Sequence, residues 1–338
     1  MAASRPSPPA PMAGTIRRRD TLGEAVRTLR ANRLTAAGFF LVLVTVVLAA
    51  AVELVPLVSK ALIGRAVSLL PYDPNALSPT LLQGPSWQHW FGTDNLGRDV
   101  FSRVLAALPL DLFIGFAIVG AALIIGGGLG LVSGFWDSGR FSRPLAGFIL
   151  RVTDVFLAFP TLVLAFALAA ILGRNLTATL AALIITWWPY YVRLVRGEVL
   201  TIKHQGYIPA ARIAGASESR ILLRHVVRNL LEPLTVYATL DVGTVLVTFS
   251  TISYFGISLP ATTPEWGSMV FEYQGYLPQY LYLVLAPGLA IFVTVLGFSL
   301  LGDGLRDVLD PRTRRAFARE RVAVPAPIPV ERSDEPGT

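Results

Sequence analysis

The sequence predicts an all-α integral membrane protein with six transmembrane helices. Hydrophobic residues make up 53% of the 338-residue chain and charged residues only 15%, whereas soluble proteins average about 25% charged residues. The apolar residues are gathered into runs long enough to cross the roughly 30 Å hydrocarbon core of a bilayer. Lys and Arg are concentrated in alternate segments between those runs, which is typical of a chain that crosses a membrane repeatedly.

The first 33 residues are predicted to form a cytoplasmic tail. Residues 1–14 are rich in Pro, Ala and Ser, a composition typical of disorder. The six arginines of residues 15–33 favour a short amphipathic segment at the membrane surface. The first transmembrane helix is predicted at residues 34–58. A cleaved signal peptide is the alternative, but the tail is too long for the charged region that begins such a peptide.

Residues 59–109 are predicted to form a small extracytoplasmic cap loop, because they contain several prolines and charges and are too polar to span. The second span is predicted at residues 110–134. Its glycine-rich run at 126–130 favours close helix packing in lipid. A phosphate-binding loop is the other reading of clustered glycines, but no Gly-Lys-Ser/Thr sequence follows them.

Four further apolar runs complete the six predicted spans. They lie at residues 148–172, 176–195, 234–259 and 280–301, so that residues 110–309 are expected to form a five-helix core. Pro160 lies inside the third span and is expected to kink it. From residue 310 to residue 338 the chain is basic and then Pro-rich, and we expect a disordered cytoplasmic tail.

The distribution of Lys and Arg predicts that both termini are cytoplasmic. If the N-terminus lies inside, 24 of the 29 basic residues fall on the cytoplasmic side, as the positive-inside rule requires. The segments that carry them are residues 1–33, 135–151, 193–233 and 302–338. The basic pI of about 10.0 therefore reflects membrane topology and does not indicate nucleic-acid binding.

The polar segment at residues 196–233 is predicted to fold as a helix, a turn and a second helix. Pro209 suits the first turn of a helix, where its missing N–H needs no acceptor. Gly215 suits the turn that ends this helix, and Ser217 or Ser219 can cap the next one. In that second helix one face is apolar and another is basic: Ile221, Leu222, Val226 and Leu230, against Arg220, Arg224 and Arg228. On physical grounds alone the segment could also lie flat against anionic lipid headgroups.

Polar residues within or near the spans have a structural and a functional interpretation. Asp241 in span five either pairs two helices through a hydrogen bond, which we favour, or lies on a substrate pathway. Arg151 and Asp154, spaced i,i+3, are expected to pair on one helical face. Four aromatic residues at the inner end of span four are expected to form an interfacial belt: Trp187, Trp188, Tyr190 and Tyr191.

The cap contains charged residues that could be mistaken for a catalytic site. Asp94, Arg98 and Asp99 are expected to form a structural cluster that orients the cap over the bundle, with contact to a delivering protein as the alternative. No nucleophile with a base and no set of metal ligands accompanies them, and the chain has no cysteine. We therefore predict neither catalytic residues nor a metal site.

Several motifs resemble sequences of one family of membrane proteins. The pattern Ala210-Ala211, Gly215, Ile221 to His225 and Asn229 resembles the EAA loop of bacterial ABC importer permeases. The run from Gly92 to Asp99 and the run from Gly302 to Asp307 look like signatures of the second permease subunit of dipeptide, oligopeptide and nickel importers. Weaker matches are Asp154 with Phe159-Pro160, Ala238 to Gly243, and Pro264-x-Trp266-Gly267. The resemblance covers roughly residues 17–312.

The resemblance implies the type I ABC importer permease (MetI-like) fold, in which a short cytoplasmic helix docks into a groove on an ATPase subunit. For this coupling role it implies Tyr207, Pro209, Ala210, Ala211, Gly215, Ala216, Ser217, Arg220 and Arg224. For the cap signature it implies Gly92, Thr93, Asp94, Gly97, Arg98 and Asp99. The family's glutamate before the two alanines is Pro209 here, and Arg228 stands where the family has a proline. We therefore expect the docking chemistry to differ in detail.

The resemblance also implies a non-catalytic subunit that imports di- or oligopeptides across a bacterial or archaeal plasma membrane, with nickel chelates as the alternative cargo. Implied partners are a homologous second permease forming a heterodimer, two cytoplasmic ATPases, an extracytoplasmic peptide-binding protein and membrane lipid. We expect no cofactor and no nucleic acid on this chain, because without a Walker A motif ATP and Mg fall to the ATPases. A self-sufficient secondary transporter is less favoured, since the sequence has no convincing internal repeat and few charges within spans.

Overall fold

The computed structural model describes residues 32–137, 142–173, 175–257, 259–260 and 262–309. Its helices are α1 (Arg33–Ile63), α2 (Val100–Phe135), α3 (Ser142–Leu157), α4 (Thr161–Leu172), α5 (Leu176–Lys203), α6 (Tyr207–Ile213), α7 (Glu218–Tyr254), α8 (Trp266–Tyr273) and α9 (Leu281–Leu309). Five of these helices are long and apolar enough to cross a membrane, and the pair α3–α4 makes a sixth if counted as one span. The predicted disordered residues 1–14 and 310–338 lie outside the described residues, as does the predicted amphipathic segment up to residue 31.

The first helix, α1, is longer than the predicted span and lies at the edge of the bundle. The Asn32 side chain caps its start by accepting hydrogen bonds from two backbone N–H groups, and the helix ends where Gly64 adopts a φ of +70°. It packs along α9 through small residues, and a Cβ atom on Gly38 would lie 2.6 Å from Leu300. Only 11% of its most apolar stretch is buried inside the protein, so most of α1 is exposed on the outside of the bundle.

The second helix begins at Val100, whereas the sequence predicted a start at residue 110. Asp99 caps it, and its first turns bury Arg103, which forms an ion pair with Glu272 (3.6 Å). Arg103 interrupts the apolar run, and this charge suggested a loop. Its partner Glu272 lies far away in the sequence, so the sequence alone does not reveal that Arg103 can be buried in a helix. The membrane helix therefore continues into the cap, and the cap is shorter than predicted.

The third predicted span is not one kinked helix but two helices that meet at 88°. α3 ends at Leu157, and Pro160 stands directly before the first residue of α4. Proline has no N–H to continue the ladder and disfavours a helical conformation in the preceding residue. The expectation of a kink within one continuous span was therefore wrong, because the helix ends completely before Pro160.

Helices α2 and α5 lie in close contact along a stripe of glycines. Gly126, Gly130 and Gly134, one turn apart, face α5, and a Cβ atom on Gly130 would lie 2.7 Å from the carbonyl oxygen of Val192. By contrast, no atom lies within 4 Å of a Cβ atom built on Gly128. The prediction that the glycine-rich run serves packing is confirmed for one face of the helix, and that face extends to Gly134.

Helices α5 and α7 both extend beyond their predicted spans. α5 runs to Lys203 instead of residue 195, and α7 begins at Glu218, contains a π-helical segment at Leu222–Val227 and ends at Tyr254. The polar segment at residues 196–233 consists largely of these helical extensions. One group of buried side chains lies among α2, α5, α7, α8 and α9. A second group joins α6 to the ends of α2, α5 and α7.

Candidate functional site

The short helix α6 and the turn after it form the segment between α5 and α7. Gly215 has a φ of +79°, its N–H donates to the Arg212 carbonyl and the N–H of Ala216 donates to the Ala211 carbonyl, both at 3.0 Å. These two bonds are the Schellman pattern that ends helices. Ser217 then caps α7. The predicted helix, turn and second helix are thus confirmed, with Ser217 as the cap.

α6 has one buried and one exposed face. Ile208 is fully buried against the ends of α2, α5 and α7. Pro209 and Ala210 are exposed, and Ile213 at the end of the helix is 88% exposed. Pro209 lies in the first turn, as predicted, where it removes no intrahelical hydrogen bond. The helix therefore presents a small, partly apolar face to a partner while one isoleucine anchors it from beneath.

Polar contacts brace α6 from the side. The hydroxyl of Tyr207 accepts a hydrogen bond from Asn229 Nδ2 (3.0 Å), which also donates to the His225 carbonyl (2.6 Å). Arg212 donates to both carboxylate oxygens of Glu218, at 2.9 and 3.2 Å. Burial raises the pKa of Tyr207. These contacts hold the orientation of α6 relative to the start of α7.

The two faces predicted for the start of α7 are confirmed. The apolar side chains Ile221, Leu222, Val226 and Leu230 are buried, whereas Arg220, Arg224 and Arg228 are exposed. The exposed arginines give the surface around α6 a positive charge. Such a surface can attract acidic side chains of a partner or anionic lipid headgroups.

Cations of α5 bind the C-terminal end of α2, close to α6. Lys203 Nζ donates to the Phe135 carbonyl (2.9 Å) and pairs with Asp137 (2.7 Å). Two turns earlier, the Arg196 guanidinium donates to the Ser133 carbonyl. The last carbonyls of a helix have no intrahelical partner and carry partial negative charge, so cations stabilise them. Together with the glycine stripe, these contacts join α2 and α5 into one unit that ends at α6.

The six signature residues of the cap form a tight turn at the start of α2. Gly92 and Gly97 have φ values of +74° and +76°, and a side chain at either would overlap the backbone of Gln83 or Ser78. Thr93 Oγ1 donates to a backbone carbonyl of the cap (2.6 Å) and accepts from the Gln83 N–H (2.9 Å). The glycines are therefore required by conformation and by space.

Two charged members of this signature, Asp94 and Arg98, belong to a buried cluster that does not include the predicted third member, Asp99. Asp94 pairs with Arg98 (2.6 Å) and accepts a hydrogen bond from the Tyr273 hydroxyl (3.2 Å), and Arg98 also pairs with Glu272. Burial acts to lower the pKa of Arg98, but the carboxylates of Asp94 and Glu272 outweigh it and the pKa is raised. Burial raises the pKa of Tyr273. The cluster joins the cap to α8.

Asp99, the last signature residue, has two partners. It accepts a hydrogen bond from the Ser102 N–H (2.8 Å), which caps α2, and lies 2.8 Å from His89 Nδ1. All four polar residues of the signature are nearly or completely buried: Thr93, Asp94, Arg98 and Asp99. The predicted cluster is therefore confirmed for Asp94 and Arg98, whereas Asp99 pairs with His89. The burial of these residues favours the structural interpretation over direct contact with a delivering protein.

A second group of buried acidic residues lies between α2 and α8. Glu265 caps α8 by accepting from the N–H groups of Gly267 (2.6 Å) and Ser268 (2.7 Å). Asp111 accepts from the Trp266 N–H (3.2 Å). Burial raises the pKa of Glu265, while its hydrogen bonds act to lower it. The Trp266-Gly267 motif is thus part of a helix start that is fastened to α2.

Asp241 joins two helices of the bundle. Its carboxylate accepts hydrogen bonds from the Trp187 indole N–H (2.7 Å) and the Tyr191 hydroxyl (2.9 Å) of α5. This geometry agrees with the favoured helix-pairing interpretation. Trp187 and Tyr191 were expected in an interfacial belt, which was wrong, because both are buried inside the bundle. Tyr190 is exposed.

The expected pair between Arg151 and Asp154 was also wrong. Asp154 pairs with Arg193 of α5 (2.6 Å). Both side chains are more than half exposed, and exposed pairs of this kind contribute little to stability. The spacing within one helix suggested the local pair, but the neighbouring helix supplied a closer cation.

Sequence reasoning missed two residues that matter to these sites. Glu272 was not singled out, because nothing local links it to Arg98, 174 positions away. The exposure of Ile213 could have been predicted from the sequence. It lies five residues after Ile208, which places it about 140° around the helix from that residue. An apolar residue opposite the buried face of a short helix indicates an interaction surface. Among the described residues, no group of three or more His, Cys, Asp or Glu side chains is placed to hold a metal ion.

The arrangement of helices resembles that of a solved membrane transporter chain. The fold is similar to one chain of the MetNI methionine ABC transporter, which was solved in inward-facing conformations. The TM-score is 0.50 at 19% sequence identity, and the match covers 62% of this chain and 95% of that chain. This likeness concerns the fold alone, and it agrees with the predicted all-α, MetI-like class.

The sequence comparisons define the family. The chain belongs to the binding-protein-dependent transport system inner membrane components, whose family model matches residues 126–315. It is 38% identical to the dipeptide transport system permease protein DppC of Alkalihalophilus pseudofirmus, over 86% of this chain and 90% of that protein. It is 37% identical to the nickel transport system permease protein NikC of Escherichia coli K12, over 72% of this chain and 86% of that protein. The chain is a multi-pass inner-membrane permease subunit.

Proposed function

We propose that this permease imports di- or oligopeptides, driven by ATP that partner subunits bind and hydrolyse. The observation that carries the proposal is the construction of α6. Ile208 anchors the helix from beneath, whereas Pro209, Ala210 and Ile213 face outward. A rigid helix with an exposed apolar tip suits docking into a groove. Where the family has a glutamate, Pro209 would give the partner an apolar contact instead of a carboxylate. Ile213 would be the side chain that inserts into the groove.

The contacts around α6 suggest how docking would move the bundle. A displacement of α6 acts on Ile208 and hence on the buried side chains at the ends of α2, α5 and α7. Lys203 and the glycine stripe hold α2 and α5 together, so those two helices would move as one body. α7 would follow through Asp241, which joins it to α5. Rigid elements of this kind transmit small displacements over long distances.

We propose two cytoplasmic ATPase subunits as partners, one of which binds α6, with ATP and Mg on those subunits and no cofactor on this chain. A homologous permease would complete the membrane path, and a peptide-binding protein would approach from the cap side. This arrangement requires both termini in the cytoplasm, which the distribution of Lys and Arg supports. The family's name, which refers to binding-protein-dependent transport, supports the binding protein.

Peptides are the proposed cargo because relatives named for dipeptide, D,D-dipeptide and glutathione transport are 38%, 41% and 39% identical to this chain, against 37% for NikC. Uptake of labelled dipeptide, oligopeptide and nickel by cells with and without the gene would test this choice. Peptide uptake that requires the gene supports the proposal, whereas gene-dependent nickel uptake alone would replace it with the nickel-chelate alternative. Gene-dependent uptake that ionophores abolish, and that continues after ATP depletion, would instead favour a secondary transporter.

The docking role of α6 is tested by replacing Ile213 with Asp. A charge at the apolar tip should reduce copurification of the ATPase subunits about tenfold, as expected for loss of an interface anchor. The control is Leu62→Asp, an equally exposed apolar position at the opposite end of the bundle (78% exposed). Both variants should reach the membrane in normal amounts. ATPase recovery that is unchanged in Ile213→Asp would overturn the docking role.

A further inference from the structure

A cavity of about 450 Å³ lies between α1, α2 and α9, beneath the cap. Along α9 its wall extends from Tyr282 to Thr294, about 18 Å at 1.5 Å per residue. The cavity is therefore long and narrow, and it runs parallel to the membrane-spanning helices. Its length is similar to the thickness of one leaflet, which is half of the roughly 30 Å hydrocarbon core.

One end of the cavity is closed where α1 and α9 touch. In the lower half of α9 the two helices are in close contact, and a Cβ atom on Gly297 would lie 3.0 Å from Leu41. Nearer the cap, Val44 and Leu48 of α1 and Ala290 of α9 line the cavity. The cavity therefore begins next to this contact, and α1 forms one side of its wall.

The wall of the cavity suits a purely apolar occupant. Most of its surface is formed by aliphatic and aromatic side chains of α1, α2 and α9. The hydroxyl of Thr45, the indole N–H of Trp266 and the hydroxyl of Tyr282 donate to backbone carbonyls of the protein. The hydroxyl of Thr294 lies at the end far from the cap. Water is not stable in an apolar space of this kind, and an empty space would leave the wall without dispersion contacts.

The depth of the cavity relative to the membrane follows from exposed tryptophans. Trp87 is 97% and Trp90 57% exposed on the surface of the cap, and tryptophan is enriched where protein meets lipid headgroups. Trp90 packs on Phe101, which lines the cavity, with 4.8 Å between the ring centroids. Pro85 lines both the cavity and the surface hollow beside these tryptophans. The mouth therefore lies at headgroup level and the cavity at the level of acyl chains.

We propose that the cavity is a binding site for one acyl chain of a phospholipid from the leaflet on the cap side. The lipid chain fills the space between α1, α2 and α9 and so adds contacts between α1 and the rest of the bundle.

Two variants of α1 test the site. Each introduces a tryptophan, but only one of them places it in the cavity. Val44 lines the cavity and Val47 does not, although both are partly exposed on the same helix. The full chain is purified from its membrane with the partners that copurify, exchanged into phosphatidylglycerol nanodiscs, washed with detergent and weighed by native mass spectrometry. We expect wild type and Val47→Trp to retain one phospholipid, and Val44→Trp to lose it. Ala290→Phe, which fills the cavity from α9, should lose it as well.

Two results would overturn the proposal. The first is wild-type protein that retains no phospholipid, or variants Val44→Trp and Ala290→Phe that retain it as well as Val47→Trp does. The second concerns the occupant and uses Leu289→benzoylphenylalanine, a photoreactive residue at a lining position. Crosslinks to phospholipid support the site, whereas crosslinks to another protein chain would show that a partner covers it. Variants that fail to fold are recognised by their loss from the membrane fraction, and the crosslink, made on an otherwise native chain, then decides.

Discussion

Two arginines of this protein pair with carboxylates, one inside the protein and one at its surface. Arg98 is 4% exposed and serves both Asp94 and Glu272, whereas Arg193 meets Asp154 at a surface where both are more than half exposed. Removing one partner of a buried pair leaves an uncompensated charge in a medium of low polarity. Water compensates the same loss at the surface.

Arg98→Ala should therefore destabilise the protein by about 3–5 kcal/mol, and Arg193→Ala by less than about 1 kcal/mol. The cap should separate from α8 in the first variant, because the Asp94 and Glu272 carboxylates repel each other once the guanidinium is gone. Thermal unfolding in detergent measures both effects. Equal melting temperatures for the two variants would show that the cap cluster contributes no more than a surface pair.

Asp241 allows its structural role to be separated from a role in transport. Asp241→Asn retains an oxygen that can accept from Trp187 and Tyr191, whereas Asp241→Ala leaves both donors buried without a partner, at about 1–3 kcal/mol each. We expect Asp241→Ala to lower the unfolding temperature clearly and Asp241→Asn to lower it little. Uptake of every peptide class should be unchanged in Asp241→Asn. Loss of uptake with normal stability would assign the carboxylate to the pathway.

At the scale of elements, the glycines of α2 differ according to the face on which they lie. A Cβ atom on Gly130 would press on the backbone of Val192, whereas Gly128 on the opposite side has free space. In helices alanine is preferred to glycine by about 1 kcal/mol. A glycine that faces no neighbouring helix therefore does not stabilise the protein. The close approach of α2 and α5 is what requires Gly130.

Gly130→Ala should accordingly destabilise the protein by about 1–3 kcal/mol through overpacking, and Gly128→Ala should leave its stability unchanged or raise it by up to about 1 kcal/mol. Both variants can be compared by thermal unfolding. Uptake should fall in Gly130→Ala, since α2 and α5 then separate above α6. A Gly130→Ala protein as stable as Gly128→Ala would mean that the two helices are less tightly joined than the geometry indicates.

At the scale of the whole molecule, the orientation in the membrane decides which side the cap and α6 each face. The two sites lie at opposite ends of the bundle, and the count of basic residues predicts that α6 lies on the cytoplasmic side. The chain contains no cysteine, so single cysteines can be introduced without background labelling. Leu77 in the cap and Ala210 in α6 are both exposed positions.

A membrane-impermeant maleimide should label Leu77→Cys in intact cells. Ala210→Cys should react only after the membrane is permeabilised, because α6 is proposed to lie inside. Labelling is measured by the mass shift of the purified chain. The reverse pattern would invert the orientation and with it the proposed positions of the ATPases and the binding protein.

The sequence predicted much of the candidate site because its signals are local. Pro209, Gly215 and Ser217 act through backbone conformation within a few residues, and they appear in the structure where their chemistry indicates. The two faces of α7 follow from residue spacing in the same way. The break at Pro160 was underestimated as a kink, because the sequence does not reveal whether neighbouring helices will hold a proline within one helix.

The membrane class and the helix, turn and second helix around α6 were determined by the sequence alone, since apolar length, charge distribution and turn chemistry are readable without knowing which helices touch. Tertiary structure alone decided the partners. Arg98 meets Glu272, Asp241 meets Trp187, and side chains of α1, α2 and α9 line a cavity. These outcomes depend on the packing of helices that are distant in sequence, so the role of a buried charge or of a cavity follows only from the residues that surround it in space.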